Sequence, residues 1–355
     1  MLIYFLRQFR SRWLTFNVSG ITPTDFGEFA DWETPLLTEV GVIFTKCSAS
    51  RTAAGVLASQ LFRPTQHCQR ISITGDNLKY LFPAGPFSWD HLTHLTLTEG
   101  IERSPDGISL GQLSAHTVYR LLKYCQNIFS LTIGSPQCFA MGFIPHERVL
   151  ASSLRHLTFH CEAASSQPIA DLIRHLRMPQ LSLFHAPLLN MPLYKAASIG
   201  DLAAHSPFLS DLDLGVAAEV FPSLLFEVHR LFPVLSRLAL RFPQNSHLDE
   251  NQITACRTAF EKLTPVAARR NPTPELQVLQ IFGGLEVAQK TWLSFLEGHV
   301  EFETNLRYFR LSVLGDPPQV IPDVTFFRAC GVEAEIDYIR PPPKPSAWEG
   351  IDYSR

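Results

Sequence analysis

Leu92-Thr93-His94-Leu95-Thr96-Leu97 is the stretch whose reading decides the fold. Successive strand side chains point to opposite faces, so its apolar-x-x-apolar-x-apolar spacing turns Leu95 and Leu97 one way and His94, Thr96 and Thr98 the other. The spacing recurs along the chain: Trp13, Phe16, Val18; Leu37, Val40, Val42; Cys68, Ile71, Ile73; Leu92, Leu95, Leu97; Ile128, Leu131, Ile133; Leu154, Leu157, Phe159; Met178, Leu181, Leu183; Leu209, Leu212, Leu214; Leu235, Leu238, Leu240; Leu276, Leu279, Ile281; and Leu306, Phe309, Leu311. The step between third positions runs from 24 residues (Val18 to Val42) to 41 (Leu240 to Ile281). A strand and crossover repeated at such a step stack into a solenoid, because one unit alone cannot bury its apolar side.

The fold class expected is α/β, a leucine-rich-repeat horseshoe with a parallel sheet on the concave face and irregular helices on the convex face. The usual period of such repeats is about 20 to 29 residues, so several units carry inserts. A twelfth strand around Ala334 and Ile336 fits the pattern poorly and is expected as a cap. The domain expectation is one solenoid over residues 1–339, followed by a proline-rich tail over 340–355 that cannot build a packed element. Parallel strands need crossovers. Apolar periodicity places helices at Ser114 to Tyr124 behind a Ser114 cap, Pro168 to Leu176, Ser223 to Leu231, Leu248 to Leu263 and Glu286 to Glu297, with an irregular crossover from Pro136 to Ser152.

The chain has 355 residues, 46% of them hydrophobic, and a net charge of -3, so a broad basic surface for nucleic acid is not expected. Its seven cysteines are odd in number and form no C-x-x-C pair, which reads as thiols in a reducing compartment, cytoplasmic or nuclear. Arg7, Arg10 and Arg12 cut short the apolar start, and no run approaches a membrane span, so no leader or bilayer partner is expected. Asn17-Val18-Ser19 matches a glycosylation acceptor but lies in an expected strand.

Gly107-Ile108-Ser109-Leu110-Gly111 matches the G-x-S-x-G of a hydrolase nucleophile elbow. That motif needs a strand ending at the serine, whereas here the strand ends near Leu97 and Glu102 to Asp106 intervene. A serine hydrolase using Ser109 is therefore the minor alternative, and no catalytic, cofactor or metal residues are assigned. His156 and His160 lie about 13 Å apart on a strand, and His94 about 9.6 Å from His156 across two strands, too far for one metal ion with ligands near 2 Å.

The residues alternating with the apolar triplets are left to face a partner. Glu39 with Arg70, and Asp211 with Arg237, are expected as neighbours in one row. His94, His156 and His160 give a mild surface, while Phe184, Arg241, Phe282, Tyr308 and Arg310 bring together the aromatic and arginine types that dominate binding hot spots. These eight residues form the candidate protein-binding face.

The stretches Trp89 to Leu97, Leu121 to Ile133 and Ala151 to Phe159 resemble the leucine-rich region of fungal F-box proteins, where a helix ending like Cys125-Gln126-Asn127 leads into the next strand. The resemblance covers about residues 10 to 340. It implies a non-enzymatic substrate receptor of a Skp-cullin ubiquitin ligase, in which an F-box holds the Skp adaptor and the repeats hold the target protein. Met1 is followed almost at once by a helix and the strand Trp13 to Val18, so no F-box is expected in this chain and a Skp-type adaptor is a partner only where an upstream F-box exists. A generic repeat adaptor with no ubiquitin role is the alternative. The asparagine common after the last strand leucine of such repeats is replaced by Ile21, Thr45, Asp76, Gly100, Pro136 and Glu162, so those turns must satisfy their backbone groups otherwise.

Overall fold

A computed structural model describes residues 8–22, 36–44, 68–75, 78, 91–99, 113–135, 146–161, 166–191, 196–217, 220–241, 249–266, 273–285, 287–315, 317 and 323–340. The strands are β1 (Thr15–Ile21), β2 (Glu39–Phe44), β3 (Arg70–Gly75), β4 (His94–Glu99), β5 (Ser130–Ser135), β6 (Val149–Leu150), β7 (His156–Cys161), β8 (Leu176–Arg177), β9 (Leu183–Met191), β10 (Asp211–Val216), β11 (Arg237–Arg241), β12 (Val278–Leu285), β13 (Tyr308–Leu314) and β14 (Glu333–Ile339). The α-helices are α1 (Ala115–Tyr124), α2 (Ser166–Arg174), α3 (Ala196–His205), α4 (Phe221–Leu231), α5 (Glu250–Leu263), α6 (Gln289–Glu301) and α7 (Thr325–Ala329).

Among the described residues, twelve strands make one sheet in chain order, and β6 and β8 pair as a small second sheet. The pairings are parallel, as in β3 with β4, β4 with β5 and β12 with β13. The protein is thus mixed α/β with a long parallel sheet. It divides into two compact units, Met1–Gly215 with Arg230–Leu235, and Val216–His229 with Ser236–Arg355.

Strand register follows from the apolar triplets. Leu95 stands between Ile71 and Leu131, and Leu97 between Ile73 and Ile133. All six are buried, and each such side chain contributes about 1.5–3 kcal/mol. Consecutive strands are tied at their starts by a repeated device, in which two successive N–H groups donate to the carbonyl of the residue just before the preceding strand. Thr93 and His94 donate to Gln69, Phe129 and Ser130 to Thr93, and Arg155 and His156 to Phe129. The Thr93 and Ser182 hydroxyls add a donor to the same acceptors, Gln69 O and Arg155 O.

A second device precedes the strands. A tight turn closes through N–H donation from Ile128 to Cys125, Leu154 to Ala151, Leu181 to Met178, Leu209 to Ser206, Leu235 to Phe232 and Leu276 to Thr273. Pro179, Pro207, Pro233 and Pro274 occupy the second turn position, where a φ fixed near -65° suits the geometry. This turn corrects the expected triplet at β9. The strand is aligned through Leu157 opposite Phe184 and Thr158 opposite His185, so the inward residues are Leu181, Phe184 and Ala186, all fully buried.

The helices arise largely where apolar period predicts them. Ser114 caps α1 by accepting from the Thr117 N–H. Asp249 and Gln252 form a reciprocal capping box at α5. Two differences are informative. α2 stops at Arg174, because Leu176 and Arg177 pair with Val149 and Leu150 as β8 and β6. The expected irregular crossover therefore holds a short strand. β14 is a full strand in register with β13, Phe309 opposite Ala334 and Leu311 opposite Ile336. The tail at 341–355 and Ser109 lie outside the described residues.

Close packing between α5 and α6 has a testable cost. A Cβ on Gly298 would lie 2.7 Å from Thr264 Cγ2 and 3.0 Å from the Pro265 carbonyl oxygen. Overpacking costs about 1–3 kcal/mol, against a helix-propensity gain of about 1 kcal/mol. Gly298→Ala is expected to lower the urea midpoint; a raised midpoint would show that the helix swings away freely.

Candidate functional site

In the Val216–His229 and Ser236–Arg355 unit, the sheet face opposite the buried triplets carries an aromatic and charged cluster. Strand pairing sets Arg241 beside Phe282 and Gln280 beside Arg310. The Arg241 guanidinium lies 4.2 Å from the centre of the Phe282 ring, and that of Arg310 lies 5.3 Å from it. Both contacts are within cation–π range. Arg237 Nη2 donates to Gln280 Oε1 at 3.0 Å.

β14 supplies the acids. Arg310 donates to Asp337 Oδ2 from Nε at 3.0 Å and from Nη2 at 2.9 Å, and its Nε is 3.7 Å from Glu335 Oε2. Tyr308 donates its phenol to Glu335 Oε2 at 2.7 Å. The hydrogen bond to Asp337 raises the Arg310 pKa. Burial, then the Glu335 bond, raises that of Tyr308. Both side chains are half-buried, so these ion pairs contribute little stability. Their effect is to fix rotamers, so that Tyr308 and Arg310 are held in place.

In the Met1–Gly215 unit the same face carries imidazoles. His94 and His156 are both opposite Ser130. Phe129 lies between them, with ring centres 5.6 Å from His94 and 4.9 Å from His156, and the Arg155 guanidinium sits 5.2 Å from the Phe129 ring. His94 Nδ1 is 2.8 Å from Thr93 Oγ1. His185 Nε2 is 2.9 Å from Asp211 Oδ1. Burial lowers the pKa of His94, helped by Arg70 and His156. Burial likewise lowers that of His156, helped by Arg155 and His185 and opposed by Asp211.

Seven of the eight sequence-assigned residues lie on the open face, six of them half-buried beside neighbours just described. His160 is exposed opposite Gly134. Phe184 is the exception: it is fully buried, 6.1 Å from the Phe159 ring, and belongs to the core. The three-residue change of register at β9 puts Leu183 and His185 on the face instead. Asp211 is engaged by His185 and Arg237 by Gln280. Sequence reasoning missed Phe129, His185, Glu335 and Asp337. The Met178-Pro179-Gln180-Leu181 turn, alike in form to Ser206-Pro207-Phe208-Leu209, was the signal for His185.

Among the described residues no three His, Cys, Asp or Glu side chains come together as a metal set, and no helix is long and apolar enough to cross a membrane. The five described cysteines are thiols, with burial pushing that of Cys256 up to about 12. The buried Glu99 side chain accepts from the Leu113 N–H through Oε1 at 3.1 Å, satisfying one backbone donor ahead of α1. No known family model matches the chain, and no curated protein shows significant similarity to it.

Proposed function

We propose that the chain is a non-enzymatic protein-binding module built of irregular leucine-rich repeats, similar to the target-recognition part of an F-box receptor in a Skp-cullin ubiquitin ligase. The observation that supports this reading most is the Arg241, Phe282, Arg310 and Tyr308 cluster on an in-register parallel sheet. Arginine and aromatic side chains held rigid on a wide face lose little freedom when a partner docks, so more of the contact energy becomes affinity. The partner is a protein target, with a Skp-type adaptor only where an F-box accompanies the repeats. A ligase role places the protein in the cytoplasm or nucleus.

The test is in-cell crosslinking of tagged full-length gene product followed by identification of attached proteins. One target whose recovery falls roughly thirtyfold in Phe282→Ala is expected, since truncating a hot-spot aromatic costs on the order of 2 kcal/mol. Recovery of the Skp adaptor and cullin with it supports the ligase role. A Phe282-dependent target without adaptor or cullin leaves a generic repeat adaptor. Attached proteins indifferent to Phe282→Ala and Arg241→Ala would sink the reading.

A further inference from the structure

The histidine face of the Met1–Gly215 unit sets two imidazoles beside two guanidiniums. The charged groups turned toward it are Arg70 from β3, opposite His94, and Arg155 beside His156, against Glu39 from β2, opposite Arg70, and Asp211 and Asp213 from β10. Protonating His94 and His156 adds two positive charges beside Arg70 and Arg155. His160 and His185 stand on the same face, His185 hydrogen-bonded to Asp211.

The geometry makes that change usable. His94 and His156 are half-buried and flank Phe129, with Arg155 over the ring, so the cations would frame an apolar spot. β5 opposes them with Ser130 and Thr132, which bear no charge. Burial and the nearby arginines keep both imidazoles neutral at neutral pH.

We propose that this face is a proton-gated docking surface for an acidic peptide segment of a protein partner, engaged in mildly acidic conditions and released near neutrality. Carboxylates of the segment would meet His94 and His156 as imidazolium ions, and a side chain of the segment would cover Phe129. Proton uptake and binding are then linked, because a bound carboxylate favours the charged imidazole. This rests on the protein-binding reading above but uses different residues from the Phe282 cluster.

The experiment measures fluorescence anisotropy of the full chain with a labelled Glu- and Asp-rich peptide and with a Lys-rich peptide of equal length. It is done at about pH 7.5 and about pH 5, the lower value set beneath the usual imidazole range because burial and nearby cations hold both groups below it, at constant ionic strength. The acidic peptide is expected to bind roughly tenfold more tightly at the lower pH, the factor expected of one additional close charge pair. The Lys-rich peptide is not expected to gain. The double variant His94→Gln, His156→Gln, with its fold checked by circular dichroism, should bind the acidic peptide equally at both values. Equal wild-type affinity at both values overturns the proposal, as does pH dependence that survives in the double variant. An RNA oligonucleotide binding more tightly than the peptide at the lower pH overturns it in favour of a nucleic-acid ligand. A failure here leaves the Phe282-dependent target untouched, so the two readings fail separately.

Discussion

Leu95→Asp is expected to abolish cooperative unfolding of the Met1–Gly215 unit. Leu95 is 1% exposed, at the centre of a run of paired strands with Ile71 on one side and Leu131 on the other. Truncating such a leucine already costs about 2–5 kcal/mol. The aspartate adds an unpaired carboxylate among side chains that offer no hydrogen-bond donor, which either stays charged at high cost or takes up a proton. The total exceeds ~4 kcal/mol, a large share of the roughly 5–15 kcal/mol that holds a domain folded. Thermal melting followed by circular dichroism reads the effect. A wild-type-like, single sharp transition in Leu95→Asp would contradict the packing described for β3, β4 and β5.

Stability of the other unit is expected to fall in acid through His299. This side chain is 2% exposed near the end of α6, with Nδ1 2.6 Å from Thr304 Oγ1 and the Phe295 ring 4.4 Å away. Its Nε2 is buried without a hydrogen-bond partner, which suits a neutral ring and not an imidazolium. Burial pushes its pKa down to about 4 from 6.5. Above pH 6.5 both folded and unfolded chains carry a neutral ring, and the full stability is present. As pH falls from 6.5 toward 4 the unfolded chain binds a proton that the folded chain refuses, so stability drops by about 1.4 kcal/mol per pH unit, about 3 kcal/mol in all. Urea midpoints of the wild type and His299→Leu between these limits provide the check. The wild type should lose the larger amount on acidification, and parallel curves would rule His299 out as the source.

Much of the architecture is written in spacing alone. β12 and β13 contain Leu279, Ile281, Phe309 and Leu311 in the expected inward slots, and Gln280, Tyr308 and Arg310 therefore emerge on the open face as predicted. The spacing fails at β9 because Leu181, Leu183 and Phe184 satisfy two registers three residues apart, and apolarity cannot choose between them. The preceding turn can, since its proline and closing leucine recur at fixed distance from the strand. The acidic side of the Phe282 cluster was hidden for a related reason. Ala334 and Ile336 make a weak apolar signal, so Glu335 and Asp337 gain meaning only once β14 is seen paired with β13. α3 was not foreseen because Ile199 and Leu202 sit among alanines and Gly200, leaving little periodic contrast. β6 and β8 are two residues each, too short to show any period.

The turns that close on Ile128, Leu154, Leu181, Leu209, Leu235 and Leu276 separate two properties that are usually coupled along a chain, length and alignment. Each turn restarts the count immediately before its strand, so whatever happened in the crossover upstream is forgotten by the time pairing begins. Between Leu240 and Ile281 the chain takes 41 residues where the shortest units take 24, yet Leu240 and Ile281 still meet in register. Lengthening a crossover is therefore a local event with no downstream frame shift. The protein tolerates growth between its turns much as a ruled page tolerates lines of unequal length, since every line begins at the same margin.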